Sequence, residues 1–195
     1  MGAKRKKKRS RAQGFIDALL EWAETLVFGV FLVIVCFTFI FRIARVHGRS
    51  MEGTLFENDR LIISHLFYSP KNGDIVVIKS DKLDDIIIKR VIAVSNQEVE
   101  IDYAEGSVRV DGELLDESYI DPEGMKRLDS FDEDYYDAES GTYRYKVPFG
   151  YVFVLGDNRA HSTDSRMFGF VSDDDIVGRV LLRIYSEKAG LGTVK

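Results

Sequence analysis

The chain has 195 residues, 45% of them apolar, and a formal net charge of −5. Residues 1–13 hold seven basic side chains (Lys4, Arg5, Lys6, Lys7, Lys8, Arg9 and Arg11) and no acid, leaving 20 basic against 32 acidic residues elsewhere, a balance of −12. So acidic a remainder repels phosphate backbones, which argues against a nucleic-acid partner and against reading the arm as a nuclear address.

From Thr25 to Phe41 the sequence TLVFGVFLVIVCFTFIF carries no charge for seventeen residues, about 26 Å as a helix, which predicts a transmembrane anchor over residues 22–43. The basic arm, residues 1–21, is expected to remain cytoplasmic, with Trp22 near the interface and everything beyond the anchor outside. A cleaved signal sequence has a shorter apolar region and a small-x-small site; here Arg42 stands where a small residue is needed. The only cysteine, Cys36, lies within the apolar run. No intrachain disulfide can form, so the outer domain must be held by its core.

Residues 44–195 are dominated by strand signals: β-branched and alternating runs at 60–68, 74–80, 85–94, 98–102, 107–112, 150–157 and 178–186. Short turns such as Ser69-Pro70-Lys71-Asn72-Gly73 separate them. The fold class expected is mainly β, an antiparallel sheet or partly open barrel preceded by one transmembrane helix. The acidic, Gly-containing stretch 121–142 has no clear period and is expected to form a surface insertion or loop. A helical turn is expected after Ser172, whose side chain would cap Asp173, Asp174 and Asp175.

His47, His65 and His161 lack the paired spacing common in zinc sites, and neither a P-loop nor a G-x-G-x-x-G turn occurs. Three segments offer chemistry. His47-Gly48-Arg49-Ser50-Met51-Glu52-Gly53-Thr54-Leu55 sets a serine in a turn where backbone N–H groups can approach a developing oxyanion. In Ile86-Ile87-Ile88-Lys89-Arg90-Val91-Ile92, a two-residue period turns Lys89 and Arg90 to opposite faces, so one cation is in apolar company. If that one is Lys89, desolvation favours the neutral amine that a general base requires; an edge-strand lysine reaching water is the alternative. The third, Gly156-Asp157-Asn158-Arg159-Ala160-His161-Ser162-Thr163-Asp164-Ser165-Arg166, crowds polar groups after the apolar strand YVFVL, either beside a site or in a structural turn.

In order along the chain, these segments resemble bacterial signal peptidase I, a membrane-bound serine endopeptidase with a Ser–Lys dyad. The resemblance rests on the basic arm and anchor, Ser50-Met51 with Thr54-Leu55, Gly73-Asp74-Ile75-Val76-Val77, Lys89-Arg90-Val91-Ile92, and Val147-Pro148-x-Gly150 leading to Gly156-Asp157-Asn158-Arg159. The last block continues through Ser162, Asp164, Ser165, Arg166 and Gly169. It implies Ser50 as nucleophile, Lys89 as base, Ser162 hydrogen-bonded to the lysine, and Asp164 and Arg166 in support. The oxyanion hole would use the Ser50 N–H and the backbone of Gly48. Implied partners are the lipid bilayer and exported preproteins cut after Ala-x-Ala-like sites, and no metal or organic cofactor is needed. One departure stands out: Gly53 occupies a position usually held by proline, which is expected to loosen the turn after the nucleophile. The single anchor and compact outer domain are similar to the shorter, Gram-positive-like members.

The residues alone leave other readings open. His161 with Asp157 or Asp164 would make a Ser–His–Asp arrangement. A tethered binding or assembly module with lost peptidase activity, and a peptidase dedicated to surface or pilus components, are the remaining two. Because Ser50 follows Phe41 by nine residues, an extended link reaches about 30–32 Å at most, so the nucleophile would work near the outer membrane surface.

Overall fold

The computed structural model describes residues 11–80, 82–120 and 133–194. The basic arm up to residue 10 and the acidic stretch 121–132 lie outside the described residues. Two compact units divide the chain, residues 1–40 and 41–195.

The described residues of the first unit form one helix, α1, Arg11–Ile40. It begins within the expected arm and ends before residue 43, because the chain turns to a strand at Arg42. Residues 13–38 are long and apolar enough to cross a bilayer by length and composition. The helix's two threonine hydroxyls are satisfied internally, Thr25 Oγ1 donating to Glu21 O at 2.8 Å and Thr38 Oγ1 to Ile34 O at 2.7 Å. Such closure is what a hydrocarbon environment demands of polar groups.

The described residues of the second unit form two open antiparallel sheets, the mainly β class expected, with no closed barrel among them. The strands of the first sheet are β1 Arg42–Arg45, β2 Arg60–Ser64, β3 Ile75–Ser80, β4 Asp85–Ala93, β10 Tyr151–Leu155, β11 Val171–Ser172 and β12 Ile176–Tyr185, in the order β1-β2-β12-β3-β4-β10-β11. Those of the second are β5 Glu98–Asp102, β6 Ser107–Val110, β7 Glu113–Leu114, β8 Tyr136–Asp137 and β9 Thr142–Lys146, in the order β7-β6-β5-β9-β8. Part of the expected 121–142 loop is therefore regular, since Glu133–Tyr135 forms a 3-10 turn and β8 follows it. The turn expected after Ser172 is also 3-10, Asp173–Asp175, with Ser172 Oγ accepting from Asp174 N–H.

Strand β3 shows why the first sheet is central. Its residues Ile75, Val76, Val77 and Ile78 are all buried, so the strand is covered on both faces and reads as a continuous apolar run. Full burial of each such side chain is worth about 1.5–3 kcal/mol. On one face Met51, Leu55, Leu61, Ile63, Ile75, Val77 and Val180 pack together. Val76, Ile78, Val91, Val152 and Val154 pack on the other. A third cluster joins Ile92, Phe153 and Leu155 of the first sheet to Val99, Ile101, Val108 and Tyr145 of the second.

Candidate active site

Ser50 sits in a turn between β1 and β2 that is closed by local hydrogen bonds, Glu52 N–H to Arg49 O at 3.1 Å and Leu55 N–H to Met51 O at 2.8 Å. Met51 and Leu55, 2% and 1% exposed, plug this turn into the core beneath it. The Met-x-x-x-Leu spacing is thus an anchor, and of the residues between the plugs Glu52 and Thr54 are half-buried and Gly53 is exposed. Arg183 of β12 donates to Thr54 O at 2.9 Å and holds the far side of the turn.

Strand β4 enters from the other side. Lys89 and Arg90 point to opposite faces, and both faces are covered: each residue is 3% exposed. Arg90 is neutralised by a forked pair with Asp157, Nε to Oδ1 at 2.8 Å and Nη2 to Oδ2 at 2.6 Å, while the Tyr119 ring lies 4.0 Å from its guanidinium carbon. Lys89 has no ion pair among the described residues. Its Nζ contacts Ser50 Oγ at 2.8 Å and Ile88 O at 3.2 Å. Burial drives the Lys89 pKa below the ordinary lysine range; Asp164 and Asp157 oppose this shift, and Arg166 reinforces it.

The loop from Gly156 to Arg166 closes the site. Asp164 accepts from Gly156 N–H at 3.0 Å and from Arg166 Nε at 2.7 Å, and Arg166 Nη2 reaches Arg159 O at 2.9 Å. Burial pushes the Asp164 carboxyl up, but Arg166 and the N–H donors outweigh it and hold the group below the usual carboxylate range. Arg159 is tied to Gly156 O at 3.1 Å and paired with Glu117. Gly156 is obligatory by contact: a Cβ there would meet Ser50 O at 2.5 Å and Ser162 Cβ at 2.6 Å.

The expected site residues gather here with two differences in their bonding. Ser162 Oγ is buried without a hydrogen-bond partner among the described residues. It sits close enough to Asp164 to favour that carboxylate, while Lys89 Nζ bonds to Ser50 and Ile88 instead. Gly48 N–H, that residue's only backbone donor, is engaged by Glu57 Oε2 at 2.7 Å, and Glu57 Oε1 faces His47 Nδ1 at 3.1 Å. The Ser50 N–H donates to no protein group among the described residues. His161 is exposed and meets Asn158 Oδ1 at 3.1 Å, so Lys89 and not His161 adjoins Ser50.

A cleft of about 440 Å³ opens from Ser50 and Lys89; Ile43, Ala44, Ile63, Val77, Ile86 and Ile88 form its apolar wall, and Arg42, Arg45, His47 and Asp85 also border it. Strand β1, which forms one wall, was hidden in the sequence because Arg-Ile-Ala-Arg is short and follows directly on the apolar run. The roles of Asp157, Asn158 and Glu117 were equally hidden, since their partners Arg90, Arg49 and Arg159 are distant in the chain.

A family model described as Signal peptidase, peptidase S26, matches residues 19–185. The chain belongs to this family. The peptidase is 35% identical over 192 residues to "Probable signal peptidase I-2" of Synechocystis sp., covering 92% of this chain and 78% of that one. It is 37% identical over 153 residues to "Signal peptidase I" of Bacillus caldolyticus, covering 77% and 82%. It is 32% identical over 181 residues to "Signal peptidase IB" of Staphylococcus aureus, covering 86% and 90%. A crystal structure of a signal peptidase I from Enterococcus faecalis V583 aligns at 30% identity with a TM-score of 0.45, covering 57% of this chain and 97% of that one. The family match and the curated relatives make the chain a serine endopeptidase of the signal peptidase I kind.

Proposed function

We propose that this peptidase removes N-terminal signal peptides from exported preproteins, with Ser50 as nucleophile and Lys89 as general base. The observation that carries the reading is the 2.8 Å contact between Ser50 Oγ and the Nζ of Lys89, a residue buried and without an ion pair among the described residues. A neutral Lys89 amine accepts the Ser50 proton while Oγ adds to the peptide carbonyl. The resulting ammonium donates that proton to the leaving amine, and water then releases the acyl-enzyme with Lys89 again taking the proton. The Ser50 N–H stabilises the oxyanion. Ser162, Asp164 and Arg166 shape the wall against which Lys89 rests. Gly48 serves the turn by holding Glu57, its N–H being engaged there.

Specificity for small-x-small sites follows from an extended substrate. Strand β4 pairs with β10 only from Arg90 onward, so residues 85–88 have one edge unpaired by β10. A peptide added along that edge alternates its side chains, and those two apart enter the cleft together while the one between points away. The apolar cleft wall accepts small apolar groups at both positions.

The apolar helix α1 anchors the chain in the bilayer, the basic arm remains cytoplasmic, and the peptidase unit is extracytoplasmic. The eight residues between Phe41 and Ser50 limit the nucleophile's reach to about 30–32 Å from Phe41, a height at which a membrane-embedded signal segment presents its scissile bond.

The test compares purified full-length Ser50→Ala, Lys89→Ala and His161→Ala on a preprotein. Loss of cleavage is expected in the first two, while the third still cleaves, at a rate lowered by less than about tenfold. Cleavage retained by Lys89→Ala and lost in His161→Ala overturns the assignment.

A further inference from the structure

The peptide group joining Arg49 to Ser50 is held from outside its own turn. In a trans peptide the C=O of one residue and the N–H of the next are rigidly antiparallel, so whatever aims the Arg49 carbonyl also aims the Ser50 N–H in the opposite direction. Arg49 O accepts from Glu52 N–H at 3.1 Å within the turn and from Asn158 Nδ2 at 3.0 Å across the site. One donor leaves the peptide plane free to swing about its Cα–Cα axis, and a second pins it. Asn158 also grips the next carbonyl, its N–H donating to Ser50 O at 2.9 Å. Since Arg49 O can only accept, the Asn158 atom facing it must be the amide nitrogen. The amide oxygen then faces His161 Nδ1 at 3.1 Å, which must carry a proton to donate.

We infer that Asn158, braced by His161, is a positioning residue for the oxyanion site: by holding the Arg49 carbonyl it aims the free Ser50 N–H at the oxygen that gains charge during attack. The inference rests on Ser50 being the nucleophile. It gains weight from Gly48, whose N–H is bound to Glu57 at 2.7 Å and so leaves the Ser50 N–H to act at this turn. A site relying on one backbone donor is more sensitive to that donor's direction.

The decisive variant is Asn158→Asp in the full-length, detergent-solubilised protein. It has the same shape and keeps the backbone N–H to Ser50 O, but sets a carboxylate oxygen against Arg49 O. Removing an oxyanion donor typically lowers kcat about 10²–10³-fold, and misdirecting one costs less, so a fall of about ten- to a hundredfold with KM within about twofold is expected. A substrate-like peptide aldehyde reports the same effect, because Ser50 Oγ adds to its carbonyl, the π pair moves to oxygen and the Oγ proton passes to Lys89. Its affinity should fall in parallel with kcat/KM, while an uncleavable peptide of the same sequence binds unchanged. His161→Ala should lower kcat less, and His161→Asn, which restores a donor near the Nδ1 position, should recover it; this pair carries the test if Asn158→Asp does not fold. Unchanged kcat and aldehyde affinity in Asn158→Asp, or an equal loss of uncleavable-peptide binding, overturns the inference. Ser50→Ala separates the two levels: activity in that variant removes the nucleophile assignment and this inference with it. An inactive Ser50→Ala beside an unimpaired Asn158→Asp removes only the role of Asn158.

Discussion

Gly156→Ala adds one methyl group where the structure has no room for it. The new Cβ would lie 2.5 Å from Ser50 O and 2.6 Å from Ser162 Cβ. Rotating the Ser162 hydroxyl away does not relieve the clash, because Ser162 Cβ is fixed to its own backbone. Restoring ordinary contact requires the Ser50 peptide or the 156–162 loop to shift by about 0.5 Å or more, into a core packed to crystal density. Overpacking of this kind costs about 1–3 kcal/mol, or roughly 2–12 °C in Tm for a unit of this size. Either shift disturbs the packing around Ser50, and since a 1 Å misplacement can cost about a hundredfold in rate, a loss of at least about tenfold in kcat is expected. Cleavage of a fluorogenic peptide below Tm, normalised by titration of reactive Ser50, separates the rate effect from loss of folded protein. Gly156→Ala with kcat within twofold of the parent would refute the packing argument.

The lowered Lys89 pKa has a signed consequence. The neutral amine is the active form, so kcat should rise with pH along an acid limb lying below the ordinary lysine value of about 10.4. Lys89→Arg, permanently charged, should be inactive at every pH, and a pH-independent kcat in the parent would sink the base assignment. Folding follows the same sign: the unfolded chain binds this proton more readily, so Lys89 contributes a stability gain as pH rises from its folded pKa toward that of a free lysine. Asp157→Ala strands Arg90 as an uncompensated buried charge and should cost about 3–5 kcal/mol in denaturant unfolding. Replacing both partners, as in Arg90→Met with Asp157→Leu, should recover most of it. Gly53 adopts φ +108°, a backbone that proline, locked near −65°, cannot enter. Restoring the family's usual proline by Gly53→Pro should therefore destabilise by more than about 1 kcal/mol, measured by thermal unfolding, rather than stiffen the turn to advantage.

Glycine in place of proline reads as a looser turn, but the structure has a different turn, with Tyr119 O packed 3.4 Å from where a Gly53 side chain would begin. Strand periodicity placed Lys89 and Arg90 on opposite faces and required one of them to be in apolar company. Both are, since the sheet is covered on each side, and they are told apart by Asp157, 67 residues beyond Arg90. Periodicity reports which residues share a face and is silent on what covers that face.

The sequence by itself determined the apolar helix, the charge asymmetry about it, most strands of the first sheet, and the order of serine, lysine and polar loop that marks the family. These are local properties, written in hydrophobic period, in turn residues and in motif. Only the tertiary structure decided that Lys89 lacks an ion pair among the described residues, that Glu57 engages the Gly48 N–H, that β1 walls the cleft, and that Asn158 reaches back across the chain to the nucleophile's turn. Hydrogen bonds and desolvation depend on distances between residues far apart in sequence, and those distances exist only once the sheets have closed around the site.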